Sequence, residues 1–340
     1  MNFGPKPRRG ERGEMKRADW QKQVVLITGG SGFVGANLTA KLLALGASVV
    51  VLERDRLSPN SLDIFGIRDK TTLVTGTVED IELCERLLNE YQPKFIFHLA
   101  AQALVGAANR SPLSTFEANI RGTYVLLEAC RRYGQAQAVV VASSDKAYGI
   151  HTELPYKEDF ELKGQFPYDV SKTCTDLLSR SFAAAFDLPV SVSRSANIYG
   201  PGDVNLSRII PGTIVSILKG DRPVVRSDGT PVREFIYVDD VVDGYLTLAE
   251  NIDISRGEAF NFGTDEPIKI VDLVRMMLTL AGRTDLEPDI LLKTKIAGEI
   301  DAQYLSGEKM AETFAWKPTR SLENGIKESI QWYRDHLESL

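Results

Sequence analysis

The sequence predicts an α/β protein built on a doubly wound parallel sheet, with a smaller C-terminal part interleaved with it. Three observations carry that prediction. Short β-rich runs alternate with helical stretches through the first half of the 340 residues, the pattern of successive β-α-β units. A glycine turn, Gly29-Gly30-Ser31-Gly32-Phe33-Val34-Gly35, separates the first run from the first helical stretch. The residues that can carry chemistry fall at the carboxyl ends of the runs, where such sheets hold their ligands.

Residues 1–20 are polar, rich in Arg and Lys, and have no apolar stretch of the signal-peptide kind, so they read as a disordered tail or an added extension. The nucleotide-binding domain is expected over 21–195. Val24 to Ile27 is its first strand, and the helical stretch after the turn stops at Gly46, a C-cap residue. Ala47 to Leu52 is the second strand, with Glu53 at its end. Strand, glycine turn, helix, strand and acid together are the arrangement of a dinucleotide site. Gly29, Gly32 and Gly35 let the backbone approach a pyrophosphate. The N–H groups around Ser31, Phe33 and Val34 open the helix towards it. Glu53 stands where an acid binds the adenosine ribose hydroxyls. Arg54 can hold a 2′-phosphate and admit NADP, stack on adenine, or simply face water. Glu53 would repel that phosphate, so the cofactor is read as NAD rather than NADP.

Leu73 and Val74 form the third strand, with Thr77 and Val78 in its loop counted with the cofactor site. Phe95 to Leu99 is the fourth. The small residues that follow, Leu99-Ala100-Ala101-Gln102, allow a ligand to lie close. His98, inside an apolar run, reads as a core residue. Ser114 to Tyr133 is expected as one long helix containing Asn119, and Val139 to Val141 as the fifth strand. That strand runs into Ser143-Ser144-Asp145-Lys146.

A later helix carries Tyr168 and Lys172 at i and i+4, one face of a helix. A phenol loses its proton only near pH ~10, and a lysine one turn away is expected to lower that value. Such a tyrosine can take the proton of an alcohol while hydride leaves the carbon. Ser144 can hydrogen-bond the same oxygen. Tyr168 and Lys172 count with both the catalytic and the cofactor residues. By itself Tyr-x-x-x-Lys is more often a plain amphipathic helix; its neighbours give it meaning.

The net charge of −6 argues against a dedicated nucleic-acid binder. The three cysteines, Cys84, Cys130 and Cys174, make no CxxC pair and suit a reduced, cytoplasmic protein in which all three are buried packing residues. The three histidines are scattered, so no metal is expected. No apolar run reaches the ~18 residues of a membrane span.

The motifs TGGSGFVG, HLAAQ, SSDKAYG, PYDVSK, RSANIYGPGD and VREFIYVDDVVDGY, with Asn119 and the late AWKP, resemble the extended short-chain dehydrogenase/reductase family over about residues 22–335. The resemblance implies a Rossmann-type sheet, bound NAD and a nucleotide-diphosphate sugar as substrate. It also implies a cytoplasmic homodimer formed through the helices around Asn119 and Cys174. Many such enzymes oxidise the sugar at C4, change the ketone and return the hydride. Sugar 4-epimerases usually carry small or uncharged residues at the Asp145-Lys146 position, and common 4,6-dehydratases carry Asp-Glu. The Asp-Lys pair of this chain is similar to that of CDP-glucose 4,6-dehydratases, as are Gln102, NIYGPGDVNLSRIIP, RSDGTPVREFIYV and Gln303-Tyr304-Leu305-Ser306.

Chemically, a C4 ketone makes the C5 proton acidic, and its removal expels the C6 hydroxyl if an acid protonates that oxygen. Asp145 is the candidate acid, with its pKa expected to be raised by burial. Lys146 can be the C5 base only if neutral; otherwise it polarises the leaving oxygen or orients a water.

The second half, 196–340, is expected as the sugar-nucleotide domain, with the β-rich runs Phe235 to Val238 and Phe260 to Phe262 (inside 235–265) returning to the first. Pro189 to Arg194 is a further strand of the sheet. Asn197 is expected to meet the sugar or the nicotinamide amide. Arginine forks bind phosphates. By resemblance Arg208 and Arg233 are the first candidates for the diphosphate and nucleotide, with Arg226 beside them. Gln102, Ser144 and Gln303 join the substrate set. Leu322 to Leu340 reads as an amphipathic helix. Three readings follow. The first is an NDP-hexose 4,6-dehydratase, a hydro-lyase most like the CDP-glucose enzymes. The second is an NDP-sugar 4-epimerase for a hexose or uronic acid. The third is a non-catalytic NAD-binding sensor, which has no need of Ser144, Tyr168 and Lys172 together.

Overall fold

The computed structural model describes residues 18–56, 58–292 and 300–340. Seven parallel strands form the central sheet. Their order is Ala259–Phe262, Val190–Ser195, Ala138–Ala142, Phe95–His98, Val24–Thr28, Ser48–Glu53 and Thr72–Thr75. Val24–Thr28 pairs with Ser48–Glu53 on one side and Phe95–His98 on the other. The winding reverses there, which opens a crevice at the strands' carboxyl ends. This is the Rossmann-type architecture expected.

The strands are apolar at successive positions because both sheet faces are covered. Val25, Ile27, Val49, Val51 and Phe97 enter one core, shared with Leu38 and Leu42 of the helix Phe33–Ala44 and Tyr245 of the helix Val238–Glu250. Leu26, Val50, Leu52 and Ile96 enter the other, shared with Leu87 of Ile81–Tyr91 and Leu126 of Gly122–Tyr133. Each such buried side chain contributes about 1.5–3 kcal/mol. A third, smaller core joins the helices Ile209–Lys219, Ile270–Leu280 and Leu322–His336 through Ile214, Met277 and Ile330.

Several expectations change. The tail expected through residue 20 gives way at its end: Trp20 is 4 % exposed, and its indole N–H donates to Glu250 Oε1 at 2.7 Å. Residues 1–17 lie outside the described residues. Phe235–Tyr237 does not return to the central sheet; it pairs in parallel with Asn197–Tyr199. The return is made by the helix Val238–Glu250 and the strand Ala259–Phe262. Cys174 is half-buried, unlike Cys84 and Cys130. Among the described residues no helix is long and apolar enough to cross a membrane.

The long helix expected over Ser114 to Tyr133 is interrupted. Pro112–Phe116 and Gly122–Tyr133 are α-helical, and Glu117–Arg121 between them is a π-turn. The Asn119 carbonyl accepts the hydroxyls of Thr123 at 2.6 Å and Thr175 at 2.9 Å. π-Turns often mark functional sites, and this one holds the buried Asn119 side chain against the Gln102 backbone and Ser171.

His98 is a satisfied core residue, as expected. Its two ring nitrogens meet Thr28 Oγ1 at 2.8 Å and Thr123 Oγ1 at 3.0 Å. Burial, with a smaller effect from Lys172, pushes its pKa down to about 3. The unfolded chain binds this proton near pH ~6.5 and the folded chain does not. The His98 contribution is therefore complete above that pH and is lost as pH falls towards 3, at up to about 1.4 kcal/mol per pH unit. Urea titrations across this window should show that slope reduced in His98→Gln; an unchanged slope would mean that His98 does not titrate as its burial dictates.

Candidate active site

The glycine turn is built for a close ligand. Gly29 has φ +73°, and a Cβ placed on it would lie 2.8 Å from Ala100 N. A Cβ on Gly35 would sit 2.2 Å from Gly29 O. The helix Phe33–Ala44 begins after Gly32 with no side-chain cap and no acid in its first turn, so its first N–H groups face the crevice unopposed. Beside it Phe33 is buried, and Ser31 and Val34 are half-buried.

Glu53 ends the second strand and is buried. Its carboxylate is gripped by Arg68, Nη1 to Oε1 at 3.2 Å and Nη2 to Oε2 at 2.5 Å. Arg54 instead lies exposed against Asp55 at 2.6 Å, the plain alternative the sequence leaves open. Cradle, free donors and oriented acid together fit a dinucleotide. Arg68, on the short turn Arg68–Lys70, escapes a reading of the sequence because nothing in its spacing links it to Glu53.

Arg68 also makes cofactor choice testable. Glu53→Ala should weaken NAD binding and strengthen NADP binding, because it frees a guanidinium fork beside the ribose position. The scale is one charge-assisted bond, about 2 kcal/mol or roughly thirtyfold. Calorimetry on Glu53→Ala and on Glu53→Ala/Arg68→Met decides it. The gain for NADP should vanish in the double variant; if it persists, Arg54 or another group holds the phosphate.

The rest of the crevice is tied together by backbone contacts. Leu99 N bonds Thr28 O at 3.1 Å, and Ala100 N bonds Thr28 Oγ1 at 3.2 Å, which holds Ala100 against Gly29, with Ala101 and Gln102 following it in the chain. Gln102 N donates to Asn119 Oδ1 at 2.7 Å. Asn119 Nδ2 donates to Gln102 O at 3.2 Å and to Ser171 Oγ at 2.8 Å. Asn119 thus links the Gln102 loop to the helix Pro167–Phe186. The Thr77 hydroxyl turns to Glu79, and Val78 is buried.

At the end of Ala138–Ala142 the chain makes the short turn Asp145–Tyr148, capped by Ser144 Oγ accepting from Lys146 N at 3.2 Å. The Ser144 hydroxyl donates to Asp145 Oδ1 at 3.0 Å, and Lys146 Nζ donates to Asp145 Oδ2 at 3.0 Å. Lys146 also donates to Gln303 Oε1. Asp145 is 4 % exposed. Both of its oxygens accept, one from the Ser144 hydroxyl and one from the Lys146 ammonium, an arrangement that suits a proton acceptor, and that role rather than the acid's is the one proposed for it below. The far end of the turn is anchored by Tyr148, whose hydroxyl lies 2.8 Å from Arg194 Nη1. Arg194 is fully buried against Asp176 of the same helix that carries Tyr168.

Tyr168 and Lys172 share the inner face of the helix Pro167–Phe186 and are both buried. Burial pushes the Tyr168 phenol up to about 12, against a lowering by hydrogen bonding with Ser144; Asp145 adds to the rise and Arg208 lowers it. Lys172 donates to Ala142 O at 2.8 Å, and burial pushes its own pKa down to about 8. Ser144 and Arg208 are thus among the groups that lower the phenol's pKa. Asp169, unremarked in the sequence, is also buried. Burial raises its pKa to about 6, opposed by Lys146 and reinforced by Asp145.

Of the distal candidates, Arg208 and Arg226 come together in a cavity of about 400 Å³ with Leu206, Gly212 and Val225. Arg208 pairs with Asp203 at 2.9 Å and lies over the Phe33 ring, 5.8 Å from its centre, so it bridges cavity and glycine turn. Arg233 does not line that cavity; its guanidinium bonds Val232 O at 2.8 Å. Asn197 Nδ2 is held by Glu234 O at 2.9 Å. A larger cleft of about 530 Å³ between Gly263–Glu266 and Lys317–Ser321 contains none of the candidate residues and stands apart from this chemistry.

Residues 25–263 match the model of the NAD dependent epimerase/dehydratase family. A CDP-glucose 4,6-dehydratase of Salmonella typhimurium is 28% identical over 331 residues, covering 93% of this chain and 91% of its own. A UDP-glucose 4-epimerase of Thermotoga maritima, solved with UDP-glucose, is 31% identical with a TM-score of 0.84; the match covers 93% of this chain and 100% of that one. A dTDP-glucose 4,6-dehydratase of Bacillus anthracis, solved with NAD, is 26% identical with a TM-score of 0.83; the match covers 93% and 98%.

Proposed function

The chain belongs to the NAD dependent epimerase/dehydratase family, and from that premise we propose that it is an NDP-hexose 4,6-dehydratase with CDP-glucose-like specificity. The observation that carries the reading is the ion pair of buried Asp145 with half-buried Lys146 directly after Ser144. Inverting C4 needs only oxidation and re-reduction. A buried carboxylate and a half-buried ammonium 3.0 Å apart answer a second demand, removal of one proton and delivery of another.

Gly29, Gly32, Gly35 and Glu53 would hold NAD, which when bound would supply the acceptor and later the donor of one hydride. Tyr168 takes the C4 hydroxyl proton, with Ser144 hydrogen-bonded beside it. The Asp145 carboxylate removes the C5 proton. The Lys146 ammonium gives its proton to the departing C6 oxygen, and water leaves. Asp145 then returns its proton to C5 as C6 is reduced, and Lys146 is restored by the proton Tyr168 gives up. Protons and electrons balance, and the product is a 4-keto-6-deoxy sugar with no net redox change. Arg208 and Arg226 are proposed to hold the nucleotide diphosphate in their shared cavity. The enzyme is proposed to act as a homodimer through Gly122–Tyr133 and Pro167–Phe186, which leave Tyr124 and Leu177 exposed.

A second reading, NDP-sugar 4-epimerase, is favoured by the likeness to the Thermotoga maritima enzyme. One experiment separates them: purified protein is incubated with CDP-, UDP-, dTDP- and GDP-sugars, and the products are read by mass spectrometry and NMR. A product lighter by one water, with a 4-keto group and a 6-methyl, supports the dehydratase. A product of unchanged mass with inverted C4 overturns it.

A further inference from the structure

Gln303, expected among the substrate contacts, has 0 % exposure, so its amide has no face to offer a substrate. It lies on the two-residue strand Ala302–Gln303, which pairs in parallel with Val232–Arg233 and sets Gln303 opposite Arg233. Both ends of the amide go to the same turn. Nε2 donates to Asp145 O at 3.1 Å, and Oε1 accepts from Lys146 Nζ.

Lys146 carries three N–H groups on a tetrahedral nitrogen. One is held by Asp145 and one by Gln303. Fixing two directions fixes the third, on a side chain that is 20% exposed. Without the clamp, a lysine stem rotates about four carbons and samples many directions. The bond from Gln303 to the Asp145 carbonyl meanwhile pins the backbone from which both catalytic side chains project.

We infer that Gln303 is a positioning residue for the elimination step: it clamps Lys146 so that its third N–H points to where the C6 oxygen departs. This rests on the dehydratase reading. It also gives the C-terminal part of the chain a direct hold on the chemistry, since Arg233, a candidate phosphate arm, is the strand neighbour of the clamp.

The test uses the full chain as wild type, Gln303→Leu and Gln303→Glu. In Gln303→Leu the kcat for water loss should fall about 10²-fold, the cost of an ångström-scale misplacement. KM, cofactor reduction by substrate and Tm should stay near wild type, so that reduced cofactor accumulates. Independently of turnover, Lys146 is labelled with an amine-reactive reagent and followed by mass spectrometry. Its labelling should quicken severalfold in Gln303→Leu and stay slow in Gln303→Glu, which keeps an acceptor for the ammonium. Unchanged labelling in Gln303→Leu overturns the clamp. Equal loss of cofactor reduction and water loss, with a lowered Tm, makes Gln303 a structural residue only. If wild type inverts C4 without losing water, the dehydratase reading fails, while the labelling still decides whether Gln303 holds Lys146.

Discussion

Tyr168→Phe is expected to slow C4 oxidation by about 10²–10⁴-fold, the usual worth of a positioned proton acceptor. The phenol is 8 % exposed, and its ring packs the same way as phenylalanine, so Tm should not move. What is lost is one oxygen between Ser144 and the substrate. That oxygen is held well above its ordinary pKa by burial, so it is protonated in the resting protein and must be drawn towards the phenolate before it can act. Ser144 and Arg208 are the groups that pull it down, and Ser144→Ala should therefore repeat part of the loss. The measurement is the single-turnover appearance of reduced cofactor after mixing with nucleotide sugar. A rate within tenfold of wild type in Tyr168→Phe would mean another group takes the C4 proton.

How far the sequence reaches is set by how local each feature is. The glycine turn, its flanking strands and Glu53 lie within one β-α-β unit, and local pattern is enough to find them. The Ser144-Asp145-Lys146 run and the Tyr168/Lys172 spacing are local as well. The partners are not. Arg68 finds Glu53 from a short turn, and Gln303 reaches Lys146 from 157 residues away; neither leaves a periodic trace. Phe235–Tyr237 goes astray in the sequence because a short apolar run says that a strand is buried and not which strand it joins. The partners of Asp145 are hidden for a related reason. The sequence places Ser144 and Lys146 beside it, and only the folded chain turns the hydroxyl and the ammonium onto its two oxygens.

Asp145→Asn should block loss of water by about 10³-fold while leaving C4 oxidation close to wild type. The substitution keeps shape and volume but replaces one of the two acceptor oxygens with an NH2 group, which must face either Ser144 or Lys146. Ser144 can turn its hydroxyl and accept; an ammonium cannot accept at all. Lys146 keeps the amide oxygen and Gln303 as acceptors but loses its counter-charge, and C5 is left without its base. C4 oxidation has none of these needs, since Tyr168 and Ser144 are retained. Mixed with the substrate, the variant should therefore turn its cofactor to the reduced form and hold it there, with no product lighter by a water. The epimerase reading predicts otherwise: an amide that only shapes the pocket leaves C4 inversion running at nearly full rate. Formation of the deoxy-ketone at the wild-type rate by Asp145→Asn would remove Asp145 from the chemistry and transfer the C5 proton to another group, of which Asp169, buried near Lys146 with its pKa raised to about 6, is the nearest in kind.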